Sequence, residues 1–339
     1  MNTVLTILVS LLVFGFLIMT HELGHFIAAK KCGVTVEEFS AGMGPLIAQK
    51  KINGTDFSLR ALPIGGFCKM KGEDENDDSQ GSLYSASPLK RIIILLSGAA
   101  MNLITAAVLF FAVYCMTGTD PTTTLAKVSP GSPAAMAGLE AGDTIISINS
   151  SVISEWDDIT ALVRDGGGGE VTVVVRKADG TEKSYDIVPE YSPEDDAYLI
   201  GITPVIKTNV FKALRLGISM VGTYIVLICQ VFGQLFSGKA GLEVFSGPIG
   251  AAAVIGEYMN YGFTYILSIA ASIAVSLGFF NLLPVPALDG SRALFALYEL
   301  IFKKHIDRKT EGIIHTVGFI ILMAFGLLIA FRDIINLRK

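Results

Sequence analysis

Charge is scarce in this sequence. Only 17% of its 339 residues are Asp, Glu, Lys or Arg, whereas 51% are hydrophobic. The mean hydropathy is +0.57. This composition indicates a membrane protein rather than an ordinary soluble globular one. The net charge of −5 comes with no basic cluster suited to a phosphate backbone, which argues against nucleic acid as a partner.

Cysteine is also scarce. The four cysteines, Cys32, Cys68, Cys115 and Cys229, contain no Cys-x-x-Cys pair and show no paired spacing. Their scatter excludes a disulfide framework and a cysteine metal knuckle. We therefore expect buried or free thiols.

Basic residues are missing from the N-terminal stretch. The first 19 residues hold no Lys or Arg, so the apolar run there lacks the positive segment of a secretory signal peptide. No small-residue cleavage site follows the run. We expect a retained membrane span.

Four apolar runs have the length of about 20 residues that a helix needs to cross the hydrocarbon core. They cover residues 4–28, 92–116, 265–283 and 313–331. Basic residues cluster at one end of each run, and the positive-inside rule assigns those ends to the cytoplasm and the N-terminus to the outside. The residues concerned are Lys30, Lys31, Lys50, Lys51, Lys90, Arg91, Lys303, Lys304, Arg308 and Lys309. The sequence thus predicts a polytopic α-helical membrane protein with four transmembrane helices.

A fifth run, residues 213–236, is nearly apolar enough to cross. If it crossed, the third predicted span would run outward and would carry Asp289 away from the histidines discussed below. Glycines interrupt the run, and basic residues flank it. We therefore interpret it as an interfacial or partly inserted amphipathic helix.

Residues 34–72 alternate short β-prone segments with glycines, which predicts hairpin strands. An open sheet edge cannot face lipid, so a hairpin at membrane depth must be sheltered by protein or line a wet cavity. The alternative is a plain cytosolic loop. An acidic stretch, residues 73–80, follows and is expected to be a solvated tether.

Residues 120–205 form a predicted soluble module. A strand leads to a short Ala-rich helix, and the pair Gly142-Asp143 then turns into an alternating strand. A helix and two further strands are predicted after it. This pattern resembles a bacterial PDZ domain, a module that binds extended peptides by strand addition. Its alternative role is that of a spacer.

The predicted order along the chain alternates membrane segments with inserted modules. It comprises a first span with its histidine motif, a cytoplasmic or reentrant β-loop with the tether, a second span, the PDZ module, an interfacial helix with a linker, a third span and a fourth span. Their boundaries are 1–29, 30–89, 90–117, 120–205, 209–260, 261–292 and 311–332.

The first span carries the chemistry. His21 and His25 are four residues apart, so they project from one face of a helix and can bind one metal ion. Glu22 would then lie beside the open coordination position of that ion. Ionisable residues in an apolar span cost roughly 2.5 to 3.5 kcal/mol each on insertion scales, and a metal ion supplies compensation. The alternative is a polar patch packed between helices.

A second polar element ends the third span. Pro284 and Pro286 break the helix and leave backbone groups unpaired, which membrane proteins tolerate mainly around functional cavities. Asp289 in this break would complete a set of three ligands with one open position. Alternatively, Asp289 caps the helix that begins near Ser291.

Two other polar residues are less informative. Asn102, next to a run of small residues in the second span, is expected to hydrogen-bond across helices or to touch the substrate. His315 lies near Glu311 at the entrance of the last span, beside the basic loop. That position predicts an interfacial residue rather than a ligand.

The motif His21-Glu22-Leu23-Gly24-His25, the PDZ-like module and the segment from Asn281 to Gly290 together resemble the site-2 protease family of intramembrane zinc metalloproteases. The most similar branch is that of the bacterial regulator-of-sigma-E proteases. The resemblance implies that His21, His25 and Asp289 bind Zn²⁺, that Glu22 is catalytic and that Asn281 helps to hold the substrate. It also implies that Gly65, Gly66 and Phe67 belong to a membrane-reentrant β-loop that presents an edge to the substrate. Relatives can carry two PDZ modules, whereas one is visible here.

The expected function is therefore cleavage of transmembrane segments in single-span proteins of a bacterial cell membrane. By resemblance, the substrates are anti-sigma factors or signal-peptide remnants, the PDZ module is extracytoplasmic and the active site lies near the cytoplasmic side. A different class of function is an inactive membrane scaffold whose PDZ module recruits exported proteins. A third is a zinc peptidase that acts on soluble peptides at the membrane surface.

Overall fold

The structure is a computed structural model that describes residues 3–73, 79–241, 244–304 and 306–336. The chain divides into two compact units. The first, here called the membrane unit, comprises Met1–Val113 and Leu214–Lys339, and the second, here called the β-unit, comprises Tyr114–Ala213.

The helices and strands follow one another in an order that alternates long helices with β segments. They are α1 (Thr3–Cys32), β1 (Val36–Ile52), β2 (Thr55–Met70), α2 (Pro88–Thr117), β3 (Asp120–Val128), α3 (Pro133–Ala137), β4 (Thr144–Ile148), β5 (Ser151–Val152), α4 (Trp156–Asp165), β6 (Val171–Arg176), β7 (Glu182–Ile187), β8 (Glu190–Ser192), β9 (Ala197–Leu199), β10 (Ile202–Lys207), α5 (Val210–Phe236), α6 (Pro248–Tyr258), α7 (Phe263–Leu282), α8 (Asp289–Phe302) and α9 (Arg308–Asn336).

Five helices in the described part of the chain, α1, α2, α5, α7 and α9, are long and apolar enough to cross a membrane by length and composition. The four predicted runs fall on α1, α2, α7 and α9. A helical architecture with several apolar candidate spans and inserted β-sheets is thus confirmed. The count of four spans stays a prediction.

The centre of the membrane unit lies where α1, α2 and α7 meet. Small and aliphatic side chains fill it: Leu17, Ala106, Phe110, Ala271, Ala274 and Val275. Near the end of α7, a Cβ atom at Gly278 would lie 3.0 Å from the carbonyl oxygen of Ala99, near the start of α2. Ala271 and Ala274, earlier in α7, share the cluster with Ala106 and Phe110, later in α2, so the two helices run antiparallel.

Helix α5 runs in the same direction as α7. Near its start, Gly217 packs against Phe111 in the second half of α2. Near its end, the ring centroid of Phe232 lies 6.0 Å from that of Phe280, in the last turn of α7. The helix is continuous through its glycines, so the helix predicted for residues 213–236 is present.

Between Phe236 and Phe263 the chain returns to the end at which α7 begins. Helix α6 lies in this return. The start of α6 is fixed by Asp333 of α9, whose carboxylate accepts hydrogen bonds from the backbone N–H groups of Gly247 and Gly250, both at 2.9 Å. The sequence interpretation overlooked this return leg because α6 has only 11 residues. Topological parity therefore does not exclude a spanning α5, and its interfacial placement stays a prediction.

The predicted hairpin is present as β1 and β2, joined by a turn at Asn53 and Gly54, which both have positive φ. Each strand is bent, so that residues 38–41 pair with residues 56–59 on one side and with residues 66–69 on the other. Glycines at positive φ, including Gly42 and Gly65, mark the bends. The result is a small sheet with residues 66–70 at one edge. Its reentrant position in a membrane stays a prediction, and residues 74–78 of the predicted acidic tether lie outside the described residues.

The β-unit is built around a six-stranded antiparallel sheet. Its strand order is β10-β3-β4-β6-β7, and β5 pairs with β4. Aliphatic side chains from the sheet and from α3 and α4 form a continuous core. The short helix, the Gly-Asp turn and the later helix and strands follow in the order predicted for a PDZ-like module. The four cysteines of the chain are all free, as expected.

The Gly-Asp turn is held by a buried ion pair. Asp143 is 2% exposed, accepts a hydrogen bond from the N–H of Glu140 at 2.9 Å and lies 3.0 Å from the ammonium of Lys177. Burial of Lys177 opposes its charge, but its hydrogen bonds, the strongest of them to Asp143, raise the pKa of the ammonium group overall. Removing the lysine would leave a buried carboxylate without its counter-charge.

We predict that Lys177→Met lowers the free energy of unfolding of the β-unit by about 1–3 kcal/mol, since Asp143 stays buried and loses a charged partner. The single tryptophan, Trp156, packs against the β-unit core, so its fluorescence reports this unit in the full-length protein. Urea unfolding of the detergent-purified protein measures the change. Arg176→Met is the control, because the Arg176–Glu182 pair is about half exposed on both sides and such pairs contribute about 0–1 kcal/mol. Equal losses in the two variants would contradict the prediction.

Candidate active site

The site begins where α1 and α2 approach each other at glycines. A Cβ atom at Gly24 would lie 2.9 Å from Cβ of Met101 and closer still to the carbonyl oxygen of Ser97. A Cβ atom at Gly98 would lie 2.7 Å from Nε2 of His21 and would also collide with the ring of His25. Hence α2 leaves room for two imidazoles only because residue 98 has no side chain.

The ring of His25 is fixed by the backbone of α2. Its Nδ1 donates a hydrogen bond to the carbonyl oxygen of Ile94 at 2.8 Å, and the residue is buried. With the proton on Nδ1, the lone pair is on Nε2. Nε2 lies 3.2 Å from Nε2 of His21. The two histidines therefore direct the same ring atom to one place.

Asn102 fixes the ring of His21. Its amide nitrogen lies 3.2 Å from His21 Nδ1, and its oxygen lies 3.4 Å from Thr20 Oγ1, which donates to the carbonyl of Leu17 at 2.9 Å. The two amide atoms are interchangeable by a flip of the side chain. After the flip, His21 Nδ1–H donates to the amide oxygen of Asn102, and the amide nitrogen donates to Thr20 Oγ1. In this orientation the Nδ1 of His21 carries the proton, and the Nε2 lone pair is free to bind a metal.

Asp289 reaches the histidines from the far end of the sequence. Helix α7 ends at Leu282, the segment with Pro284 and Pro286 follows, and Asp289 is the first residue of α8. Its carboxylate does not cap that helix. Instead, Oδ2 lies 3.0 Å from Nε2 of His21 and 3.3 Å from Nε2 of His25. The geometry favours the ligand interpretation over the capping alternative.

The three atoms have the spacing of a zinc site. The distances between them are 3.0, 3.2 and 3.3 Å. Ligands about 2.0–2.1 Å from a tetrahedral zinc ion are separated by roughly 3.3 Å, so one ion fits among them. Each imidazole also engages its second nitrogen, an arrangement typical of metal-ligating histidines. Two imidazoles and a carboxylate leave one position open.

Glu22 lies between this cluster and the small sheet. Its Oε2 accepts a hydrogen bond from the backbone N–H of Cys68 at 3.0 Å. A cavity of about 380 Å³ opens in front of it, lined by the cluster and by residues from the sheet edge and α8, among them Phe67, Glu73 and Arg292. The site therefore combines three ligand atoms, a carboxylate and space for a substrate.

Of the four predicted substrate-binding residues, one lines the cavity and three do not. Phe67 lines the cavity. Gly66 packs against Met19 and the carbonyl of Ser40, whereas Gly65 has a φ of +81° and shapes a bend of β2. Asn281 lies in the last turn of α7 and, with both glycines, is not among the described residues that line the cavity.

Sequence reasoning missed Arg292 and Glu73. Nη1 of Arg292 lies 2.6 Å from Oε1 of Glu73, and both side chains line the cavity. A signal existed for Arg292, because it follows Asp289 by one helical turn and so shares its face of α8. Glu73 could not be found in this way, since it precedes Arg292 by 219 residues.

Comparison with known proteins identifies the family of this chain. The model of Peptidase family M50 matches residues 9–325.

The chain belongs to peptidase family M50.

Similar proteins include one of Clostridium acetobutylicum, 38% identical with 97% of each chain covered, and one of Clostridium perfringens, 33% identical with 97% of this chain and 98% of the other covered. A protein of Campylobacter jejuni is 32% identical, with 96% of this chain and 92% of the other covered. All three are named as candidate zinc metalloproteases.

Among solved structures, the PDZ domain of an SdrC-like protein from Listeria monocytogenes is 23% identical. The match covers 26% of this chain and 90% of that one, with a TM-score of 0.23.

This M50 peptidase is a zinc metalloendopeptidase of the site-2 protease type. With its long apolar helices it is a multi-pass membrane protein.

We predict that Gly98→Ala prevents assembly of the metal site in this M50 peptidase. The added methyl group would lie within 3 Å of Nε2 in both His21 and His25, so the two imidazoles must move apart. Zinc content of the purified protein, measured by mass spectrometry, should fall at least about tenfold, the scale expected when ligand orientation is lost. Gly222→Ala is the control, since a Cβ atom there meets nothing within 4 Å. Normal zinc content in Gly98→Ala would contradict this geometry.

We also predict that Asn102→Leu weakens zinc binding by about 10–100-fold, because His21 Nδ1–H loses its acceptor in a buried place. Asn102→Asp keeps an acceptor at the same position and should bind zinc about as tightly as the wild type does. Competition with a chromophoric chelator measures both affinities. If the leucine variant matched the wild type, the role assigned to Asn102 would be refuted.

Proposed function

We propose that this M50 peptidase cleaves peptide bonds within the transmembrane segments of single-span membrane proteins. One observation carries the proposal: His21, Glu22 and His25 lie on a helix with the composition of a membrane span, and Glu22 is bonded to the edge of a β-sheet. A site for soluble peptides has no need of an apolar helix. A site for membrane segments needs both features.

In this proposal, His21, His25 and Asp289 hold the zinc ion. When bound, zinc supplies Lewis-acid chemistry, because it activates a coordinated water and polarises a carbonyl. These three residues would hold the ion at the lining of the cavity, which Glu22 also lines. Asn102 and the carbonyl of Ile94 keep the two imidazoles in the tautomer that bonds through Nε2.

Glu22 is the general base. Its Oε2 is bonded to the N–H of Cys68, so Oε1 is the atom left to accept the proton of the attacking water. The same oxygen can then deliver the proton to the leaving amine. The hydrogen bond to the sheet prevents the carboxylate from rotating away, which keeps the base at a fixed distance from the reacting atoms.

The sheet edge provides a place for an extended substrate. A transmembrane helix satisfies its own backbone groups, and cleavage requires that some of these bonds be exchanged for others. In the part of the chain that the structure describes, residues 66–70 pair with β1 alone, and the N–H of Cys68 donates to Glu22 on α1. A substrate strand paired at this edge would lie beside the base. In this arrangement Gly65 and Gly66 shape the edge, and Phe67 and Asn281 contact the substrate.

The β-unit is proposed to act as a PDZ domain on the extracytoplasmic side of a bacterial cell membrane. Strand β10 lies at the end of the sheet order, next to a groove of about 150 Å³. Apolar side chains of α4 and of the segment before β10, among them Ile159, Val163 and Ile200, line the groove. An extended peptide could pair with β10 there. The basic residues at the inner ends of the spans support this orientation.

We predict that Glu22→Gln abolishes cleavage, with a rate loss of about 10²–10⁴-fold, while zinc content stays unchanged. Glutamine has the same shape and can still accept the hydrogen bond from Cys68. Purified protein is incubated with a tagged single-span protein, with and without chelator, and the cut is mapped by mass spectrometry. A scaffold without catalysis would show no cut in the wild type either.

A soluble peptide that carries the mapped cleavage sequence without its apolar flanks serves as the second substrate. We expect it to be cut far more slowly than the anchored protein. Equal rates on the two substrates would refute the intramembrane assignment while leaving the metallopeptidase itself intact.

A further inference from the structure

His315 contacts the segment that carries Asp289. The residue lies on α9, its side chain is 12% exposed and its Nδ1 accepts a hydrogen bond from the backbone N–H of Ala287 at 3.0 Å. Ala287 precedes Asp289 by two residues. A side chain expected to be interfacial thus bonds to the backbone of the segment that positions the third ligand.

Ala287 is the strained point of that segment. Its φ is +79°, which a residue with a side chain rarely adopts unless the surrounding structure holds it there. Neither Pro284 nor Pro286 has an N–H group, so the segment has few donors with which to fix itself. The hydrogen bond to His315 therefore uses one of the few donors available.

Helix α9 also supports the segment sterically. Gly318, one turn after His315, packs against Pro286 so closely that a Cβ atom there would lie 2.8 Å from the proline carbonyl oxygen. The ring of His315 contacts that of Phe295 on α8 edge to face, with centroids 5.6 Å apart. The imidazole therefore extends from α9 and packs between α8 and the segment before Asp289.

The hydrogen bond defines the state of the ring. Because Nδ1 accepts from an N–H group, the proton of the neutral imidazole is on Nε2. Nε2 is buried, and Oε1 of Glu311 lies 3.9 Å from it, beyond hydrogen-bond distance. The atom of His315 that matters for the segment is therefore Nδ1, which is already engaged and is not free for a metal.

We propose that His315 is a positioning residue, which holds Ala287 in its left-handed conformation and thereby keeps the Asp289 carboxylate against His21 and His25. The proposal rests on the proposed function, because it takes Asp289 as a zinc ligand. It assigns a role to a residue of the last helix that lies outside the metal cluster and outside the cavity lined by Glu22 and Phe67.

Two variants of equal polarity test the proposal. In His315→Asn the side-chain amide reaches the position of Nδ1 and can accept from Ala287, whereas in His315→Gln the amide reaches the position of Nε2 and cannot. We load full-length, metal-free protein in detergent with Co²⁺ and measure affinity from its visible absorption bands. We expect His315→Asn to stay within about 3-fold of the wild type and His315→Gln to lose about 10–100-fold, the range for groups that orient ligands.

Thr316→Val is the matched control, since Thr316 is exposed on the same turn of α9 and should leave cobalt binding unchanged. Thermal unfolding of the metal-free proteins shows whether the asparagine and glutamine variants are equally folded. If the two variants bind Co²⁺ alike, whether both strongly or both weakly, His315 does not act through Nδ1 and the proposal is overturned.

The outcome is separate from that of the proposed function. Asp289→Ala in the same assay should lose the cobalt bands. If Asp289→Ala binds as the wild type does, or if the wild type shows no bands, the ligand set itself is wrong. If Asp289→Ala fails to bind and His315→Gln binds normally, the ligand set stands and only the role of His315 falls.

Discussion

The contact between the backbones of α1 and α2 is the constraint on which the site depends. Without side chains at Gly24 and Gly98, the two helices come close enough for α2 to serve as the wall against which both imidazoles are placed. The same contact brings the carbonyl of Ile94 within reach of His25. Hydrogen bonds in a place without water are worth more than at a surface, and unmade ones cost more. Because His21 and His25 are buried, the hydrogen bonds to their rings hold them in one orientation.

Three distant parts of the chain complete this arrangement, and each supplies one feature that α1 lacks. The bent β-hairpin supplies a backbone N–H that holds Glu22. The start of α8 supplies the carboxylate of Asp289, and α9 supplies support for the segment before it. An ion pair between Arg292 and Glu73 further links α8 to the end of the hairpin. Chemistry and fold are thus joined through the same few contacts.

Much of the site could be predicted from local sequence, because the relevant spacing is short. The four-residue interval of His21 and His25 fixes their common face on a helix, whatever the rest of the chain does. The two prolines before Asp289 end a helix wherever they occur. The order of elements in the β-unit was likewise visible in its glycines and alternating residues, because turns have local causes.

Other features depend on contacts that local patterns do not encode. The bends that let residues 38–41 pair on both sides follow from register, which is decided by the whole sheet. The return of the chain through α6 was missed because an 11-residue helix is too short to count as a span. His315 was assigned to the interface from its neighbours in sequence, whereas the role proposed for it depends on a hydrogen bond with Ala287, which lies 28 residues earlier.

The most direct test of the account is X-ray absorption at the zinc edge of the purified protein. If His21, His25 and Asp289 hold one ion, the spectrum should show two imidazoles and light oxygen scatterers at about 2.0–2.1 Å, with no sulfur. Asp289→Ala should lose the zinc or one of its oxygen ligands. A zinc shell that contains sulfur, or a shell left unchanged by Asp289→Ala, would contradict the account.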